Sequence, residues 1–463
     1  MKKLLSWLLA LAMLLSAVLL TGCGKEEKGK TVVTTPLLRI GILSDIHLNA
    51  DVRHNMYDRF EKALMFYKEK GVDGILVTGD LQDNRTSVAT AISAMEELQD
   101  IWLRVFPNNT NDLTGEPVVP MLIYGNHDAA LVETEYWFDG IGSDYEDAWI
   151  KEIKGYSFVG VHYTKEDGTL VQKYLEQAQK GNPDKPFFFA QHVPVATTIL
   201  GGYESYEGNI IPLQESLMRS NNCVMLTGHT HVPLTDERAI WQSNSKKAAQ
   251  FTVVTCGTLH YADLKDFSAM EITGDRLQTQ QGIYMVVDGS QITMERYSFT
   301  DMELAYENGE AIINSADAKL IGIPWVFDAL QKSNRPYDYE TRQLAAYAPV
   351  FPEGAVVEIS EITADSVSVT IPAAAVEAPD GFSDLVQSYY IEIIDSATRE
   401  VVRTVEMAAP YHIDDQLEHL QQPLTLSLKE LTPGKAYTLS VHARECFQKE
   451  SEPLTVSFST PSE

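Results

Sequence analysis

The chain has 463 residues, 44% hydrophobic and 22% charged, which excludes a disordered or collagen-like protein and leaves room for two or three domains. Lys plus Arg is 36 and Asp plus Glu is 65, a formal charge of −29, so a nucleic-acid duplex is not an expected partner, because tracking its backbone needs a basic face. In so acidic a protein a phosphate-handling site must carry its own positive charge, most readily as metal.

Residues 1–22 read as a targeting segment. Lys2 and Lys3 precede an apolar run from Leu4 to Leu20, which ends in Leu20-Thr21-Gly22-Cys23. These four residues resemble the bacterial lipobox, so the segment is read as a lipoprotein signal peptide. The resemblance implies cleavage before Cys23, lipidation of that cysteine, and attachment to the extracytoplasmic side of a bacterial membrane. Residues 23–36, rich in Lys, Glu, Gly and Thr, then read as a solvated tether. The other cysteines, Cys223, Cys256 and Cys446, make no disulfide framework; Cys223 and Cys256 lie in apolar runs and read as buried thiols rather than as a bridged pair.

From residue 37 to about residue 300 short apolar runs alternate with helical patterns. The runs cover 38–43, 74–78, 118–124, 156–161, 186–190, 223–227 and 251–255, and their lengths suit strands buried on both faces. Met56, Phe60, Ala63, Leu64 and Tyr67 form one face of a helix that Gly71 stops. Ile92, Met95, Leu98, Ile101, Trp102 and Val105 form another. This alternation predicts a layered α/β domain over 37–300. Residues 301–352 have weaker periodicity and read as a connecting segment that packs on one or both domains.

From residue 353 to residue 463 the pattern changes to seven short alternating segments with no helix, the count of a β-sandwich. The stretch Leu431-Thr432-Pro433-Gly434-Lys435-Ala436-Tyr437 resembles the turn and tyrosine corner that open the sixth strand of a fibronectin type III domain. The span departs from that family in having no Trp on its second strand, residues 367–371. The resemblance implies an all-β immunoglobulin-like sandwich whose partner would be a protein or a polysaccharide.

The chemistry concentrates where the earlier strands end. The first run is followed by Ser44-Asp45-Ile46-His47, the second by Gly79-Asp80, and the third by Gly125-Asn126-His127-Asp128. The fifth is followed by Gln191-His192 and the sixth by Gly228-His229-Thr230-His231. Ligands of open α/β sheets collect beyond the carboxyl ends of strands, so these residues are expected to converge. On an extended segment residues i and i+2 point the same way, so Asp45 with His47, and His229 with His231, would each present two ligands on one side. A mixture of imidazole and carboxylate suits Zn, Fe and Mn.

Asp-x-His, Gly-Asp, Gly-Asn-His-Asp, His and Gly-His-x-His, in this order, resemble the calcineurin-like metallophosphoesterase superfamily over roughly residues 38–297. The resemblance implies a four-layer αββα sandwich holding two divalent or trivalent metal ions. Asp45, His47 and His231 would bind the first ion and Asn126, His192 and His229 the second. Asp80 would bridge them together with a water or hydroxide. It further implies that His127 aids the leaving group, that Asp83 orients His127, and that the metal-bridging hydroxide hydrolyses a phosphate ester. Asp128 receives no role. A dedicated phosphodiesterase is the alternative within the enzymes, and a non-catalytic cell-surface binding or adhesion module the alternative outside them. His54 and His260 follow motif strands closely and are candidates for substrate contact. Tyr203 and Tyr206 read as surface residues or pocket lining, and Asn84 and Arg85 as a phosphate contact or a structural pair.

Overall fold

The computed structural model describes residues 36–49, 55–83, 87–134, 138–142, 146–163, 168–200, 215–243, 250–263, 279–333, 335–376, 385–410 and 421–463. The targeting segment, Cys23, His54, Asn84, Arg85, Tyr203 and Tyr206 lie outside these residues, as do His412 and His419. No helix among the described residues is long and apolar enough to cross a membrane.

Two sheets carry the α/β part. The first is built on β1 (Leu38–Leu43), which pairs in parallel with β2 (Gly74–Val77) and through it with β3 (Val119–Leu122). The second runs β4 (Ala148–Ile153), β5 (Tyr156–Val161), β6 (Phe187–Ala190), β7 (Cys223–Thr227), β9 (Thr252–Thr255), β8 (Ile240–Gln242), in which β5, β6, β7 and β9 are parallel. On the other side of β1, the antiparallel hairpin β10 (Gln281–Asp288) and β11 (Gln291–Ser298) continues the first sheet.

Alternation within each strand sends its side chains to two different cores. Leu38, Ile40, Ile42 and Leu76 of the first sheet share a cluster with Phe188, Val224 and Leu226 of the second. Their neighbours Leu43, Ile75 and Val77 pack instead with Phe60, Ala63, Leu64 and Tyr67 of helix α1 (Asn55–Glu69) and with Met95, Leu98 and Trp102 of α2 (Val88–Val105). On the second sheet Phe187, Phe189 and Met225 pack with Val171, Leu175 and Ala178, which lie within 168–181, a helical stretch. Strands buried on both faces therefore read as continuous apolar runs. Gly71, at φ +66°, stands just beyond α1, where a left-handed residue ends a helix without a Cβ clash. Ser87 caps α2, its hydroxyl accepting from the Thr90 N–H at 3.3 Å.

Residues 301–352 pack on both neighbouring parts of the chain. After a small hairpin, β12 (Ala305–Glu307) and β13 (Glu310–Ile312), strands β14 (Lys319–Leu320) and β15 (Trp325–Asp328) both pair with β11 and extend the first sheet. The helical turn 339–345 supplies Tyr339 and Arg342, which pack on Phe447 near the C-terminus. Their alternation is too short and too exposed to have read as strands.

The C-terminal region has two antiparallel sheets. One is β16 (Glu358–Ser360), β17 (Val367–Ile371), β20 (Leu424–Leu428). The other is β19 (Val401–Ala408), β18 (Val386–Asp395), β21 (Ala436–Glu445), β22 (Leu454–Ser459). Val369, Ile371 and Leu426 of one meet Ile391, Leu439 and Val441 of the other in a single core. Tyr437 is buried there, and its hydroxyl accepts a hydrogen bond from the Thr432 N–H at 3.0 Å. Tyr437→Phe leaves that N–H unpaired and is expected to lower stability by about 1–2 kcal/mol, read as a shift in the urea midpoint of the C-terminal region; an unchanged midpoint would show the bond contributes nothing net.

Cys223, Cys256 and Cys446 are buried, with no disulfide among the described residues. Cys223 lies in the cluster beneath the 168–181 helix and Cys256 in the cluster between the sheets, so a bridge between them is not formed.

Candidate metal centre

All five motif blocks emerge from strand ends on neighbouring strands. The loops after β1 and β2 continue the parallel pairing of those strands: the N–H groups of Asp45 and His47 donate to the carbonyls of Gly79 and Asp80 at 3.1 and 3.0 Å. The Leu48 N–H then donates to the Leu81 carbonyl at 3.0 Å, and the Asp83 N–H to Leu48 at 2.9 Å. Asp45, His47 and Asp80 thus sit on a rigid extension of the sheet.

Their backbone is not extended. Asp45, His47, Asp80, His229 and His231 have φ of 50°, 53°, 50°, 71° and 50°. Non-glycine residues adopt this left-handed region rarely, and a concentration of them marks a site whose surroundings over-determine the strain. Contrary to the expectation for extended segments, residues i and i+2 here are not related by strand alternation. Asp45 and His47 converge through left-handed turns. His229 and His231 do not point together: His231 Nε2 approaches Asp45 Oδ1 at 3.1 Å, whereas His229 Nδ1 approaches Asn126 Oδ1 at 3.0 Å.

Two groups of donors result. In the first, Nε2 of His47 and Nε2 of His231 face each other at 3.2 Å, and His47 Nε2 lies 3.9 Å from Asp45 Oδ1 and 3.8 Å from Asp80 Oδ2. Asp45, His47, Asp80 and His231 are all buried, with donor atoms close enough to hold one cation. In the second, Asn126 Oδ1 lies 3.0 Å from His192 Nε2 and 3.0 Å from His229 Nδ1, and His192 Nε2 lies 3.3 Å from Asp80 Oδ1. Asp80 thus offers one carboxylate oxygen toward each group.

Tight backbone makes this approach feasible. Gly79 has φ +103°, and a Cβ on it would stand 2.5 Å from His192 Nδ1. A Cβ on Gly228 would stand 2.7 Å from Asp45 Oδ2. The glycines before the two ligand blocks are required by this crowding as much as by backbone freedom.

Burial alone would raise the Asp80 carboxyl, but His192, His47 and His127 around it hold it far below the ordinary carboxylate range. Asp45 behaves likewise under His231 and His192. Burial opposes charge on His192, yet Asp80 and Asp45 push that imidazole up to about 10. Burial, together with charge on His192, pushes His229 down to about 4. Burial opposes charge on His231 as well, but Asp45 raises it; metal ligation would require both imidazoles neutral, so cation uptake would displace any protons they carry.

His127 stands beside the cage. Its N–H donates to Asp80 Oδ1 at 2.8 Å, its Nδ1 meets Asp83 Oδ1 at 2.5 Å, and its Nε2 lies 3.7 Å from Asp80 Oδ2. Asp83 also lies 3.6 Å from His47 Nδ1. Burial would raise Asp83, but its hydrogen bond with His127 and the nearby imidazole of His47 hold it well below the usual range.

Several supporting residues escaped the sequence reading. Asp128 is fully buried, and its carboxylate accepts from the N–H groups of Gly125 at 2.8 Å, Leu81 at 3.0 Å and Gln82 at 3.1 Å. It ties the Gly-Asn-His-Asp block to the loop after β2. Its place at the end of that block was the available signal. Burial and the nearby Asp80 raise its carboxyl to about 7. The loop after β9 supports the cage from the other side. His231 Nδ1 donates to the Tyr261 carbonyl at 2.9 Å, the Thr258 hydroxyl donates to the Asp45 carbonyl at 3.3 Å, and the Leu259 N–H donates to Ser44 at 3.2 Å. These contacts are mostly to backbone and leave no motif. Of the remaining histidines, His162 is buried and accepts from the Tyr124 N–H at 2.9 Å, and His442 lies on β21 against the Ser451 carbonyl at 3.1 Å.

Comparison with known proteins bears on residues 38–233, which match the family described as calcineurin-like phosphoesterase. No curated protein matches the chain. Similar solved structures include a dimetal phosphatase from Danio rerio, at 12% identity over 60% of this chain and 98% of that one, with a TM-score of 0.38. A conserved protein from Streptococcus pneumoniae, a predicted phosphoesterase, is 12% identical over 60% and 98%, with a TM-score of 0.27. Vacuolar protein sorting 29 from Cryptosporidium parvum is 12% identical over 63% and 98%, with a TM-score of 0.30. The family match, with its motifs converging in the order expected, identifies residues 38–233 as a calcineurin-like metallophosphoesterase domain and the protein as a hydrolase.

Proposed function

We propose that the protein hydrolyses phosphate esters with a pair of metal ions, on the extracytoplasmic side of a bacterial membrane to which lipidated Cys23 anchors it. The observation that carries the catalytic part is Asp80, whose two carboxylate oxygens face two separate groups of nitrogen and oxygen donors. In this reading Asp45, His47 and His231 hold one ion, and Asn126, His192 and His229 the other. The residues fit such a pair. His47 and His231 bring ring nitrogens to 3.2 Å with a carboxylate beside them, and the mixed imidazole, carboxylate and amide set suits Mn, Fe or Zn. Ions there supply Lewis-acid neutralisation of phosphoryl charge and an ionised water at neutral pH.

The chain's own residues do the rest. Asp45 and Asp80 bring negative charge that the cations offset, leaving a site able to hold a phosphate in an acidic protein. The Asp83 carboxylate holds Nδ1–H of His127 and fixes the ring, so Nε2 faces the site as the group that hands a proton to the departing oxygen. Asp128 and the loop after β9 keep the left-handed turns in place.

The same reading treats residues 37–300 as the catalytic domain with helix, sheet, sheet and helix layers, residues 301–352 as a connecting segment, and residues 353–463 as a fibronectin type III-like domain. Two sheets of three and four strands and the Tyr437 to Thr432 bond support the last of these. Its partner is a protein or polysaccharide at the cell surface.

The test is turnover of aryl phosphate mono- and diesters by Mn²⁺-loaded protein. His127→Ala is expected to lower kcat about 10²- to 10³-fold while bound metal stays unchanged. Absence of turnover in the wild type with every divalent ion tried would instead favour a surface binding module.

A further inference from the structure

His260 extends the proposed site, and this inference rests on the phosphoesterase reading above. It stands on the loop after β9, and its ring centroid is 5.2 Å from that of His47 and 4.9 Å from that of Tyr261. The backbone there is held on both sides. The His260 N–H donates to the Thr258 hydroxyl at 3.0 Å. Its carbonyl accepts from Nη1 of the buried Arg59 at 2.9 Å, and the same nitrogen holds the Leu259 carbonyl at 3.0 Å.

The side chain has no comparable anchor. His260 Nδ1 is buried without a hydrogen-bond partner among the described residues. Four of the site imidazoles differ: Nδ1 of His192 meets the Thr78 carbonyl, Nδ1 of His231 the Tyr261 carbonyl, Nδ1 of His229 the Asn126 amide oxygen, and Nδ1 of His127 the Asp83 carboxylate, whereas Nδ1 of His47 also lacks a hydrogen bond but has the Asp83 carboxylate 3.6 Å away. A buried unpaired nitrogen on a backbone this well held is the kind of unsatisfied group that persists at functional positions. With no acceptor beside Nδ1, the proton of the neutral ring belongs on Nε2, which makes that atom a donor. The residue is only partly buried, and its ring lies beside that of His47.

We propose that His260 donates a hydrogen bond from Nε2 to a phosphoryl oxygen of the substrate, on the His47 side of the site. It is a binding residue whose contact persists from the bound substrate through to the released phosphate. Uniform binding of this kind affects KM more than kcat.

The test uses full-length, Mn²⁺-loaded protein and inorganic phosphate, with affinity read by calorimetry and by competition against an aryl phosphate. His260→Ala is expected to weaken phosphate about tenfold, as loss of one hydrogen bond to a charged group does. KM should rise by a similar factor, with kcat held to within about threefold. His260→Gln, which keeps an N–H donor at similar reach, is expected to recover most of the loss. Unchanged phosphate affinity in His260→Ala overturns the proposal, and so does a parallel loss of bound metal, which would make His260 a support of the cage. A metal-loaded wild type that neither binds phosphate nor turns over esters overturns the phosphoesterase reading itself, and is distinguishable because it appears before any substitution is made.

Discussion

Replacing Asp80 with Ala is expected to remove bound metal from both halves of the site and to lower turnover by about a thousandfold or more. The reason is position. One oxygen lies 3.3 Å from His192 Nε2 and accepts the His127 N–H at 2.8 Å; the other lies 3.8 Å from His47 Nε2 and 3.7 Å from His127 Nε2. No other carboxylate among the described residues has this double placement. Its loss takes one ligand from each donor group and also frees the backbone at His127. Elemental analysis of metal-replete protein, together with turnover of an aryl phosphate, checks the result. A variant that keeps two ions per chain would refute the bridging role, and one that keeps a single ion would confine Asp80 to one group.

The second large effect concerns stability. Glu237 is buried between Arg296, at 2.8 Å, and Arg342, at 2.5 Å, and also accepts from Trp325 Nε1 at 3.1 Å. Glu237→Ala leaves two buried guanidinium groups without their carboxylate, and a buried pair broken on one side costs about 3–5 kcal/mol. The effect reaches beyond one helix turn. Arg342 stacks on Phe447 at 5.0 Å, and Gln387 of the C-terminal region donates to the adjacent Asp236 at 2.8 Å, so this cluster joins the region after residue 353 to the segment that follows His231.

The pH dependence follows in sign. Burial opposes charge on Glu237, but Arg296 and Arg342 hold its carboxyl below its ordinary value of 4.5. A carboxyl lowered by folding contributes stability that is fully present above the unfolded value and is lost as pH falls through the folded one. Wild-type protein should therefore lose stability on acidification below about 4.5, and Glu237→Gln should lose less over the same interval. Urea denaturation at pH 7 and at a series of acidic values measures both expectations. Equal midpoints for wild type and Glu237→Ala at pH 7 would refute the first. Parallel acid profiles for wild type and Glu237→Gln would refute the second.

Much of the catalytic region was legible before any coordinates. Runs at 38–43, 156–161 and 223–227 coincide with β1, β5 and β7 because strands buried on both faces read as near-continuous apolar runs. The faces of α1 and α2 were readable for the complementary reason, a single apolar stripe at helical spacing. β10 and β11 are long strands, yet their sequences mix Gln, Tyr, Glu and Arg with the apolar residues and did not separate from their surroundings. β14 has two residues and β15 four, too short to show a period at all.

Chain order alone supplied the kinds of ligand, their sequence of blocks, and the expectation that they gather beyond the strand ends. Those are local properties, written in residue type and in the apolar run that precedes each block. Folding decided which ligand faces which. His229 and His231 part company because their left-handed backbone turns the two rings toward different neighbours. Asp128 acquires its part only when the loop after β2 comes within reach of its carboxylate. His260 acquires its place only when the loop after β9 closes beside His47. Each of these depends on groups brought together from distant parts of the chain, and side-chain direction at such points follows from backbone torsion and packing, which no spacing of residues encodes.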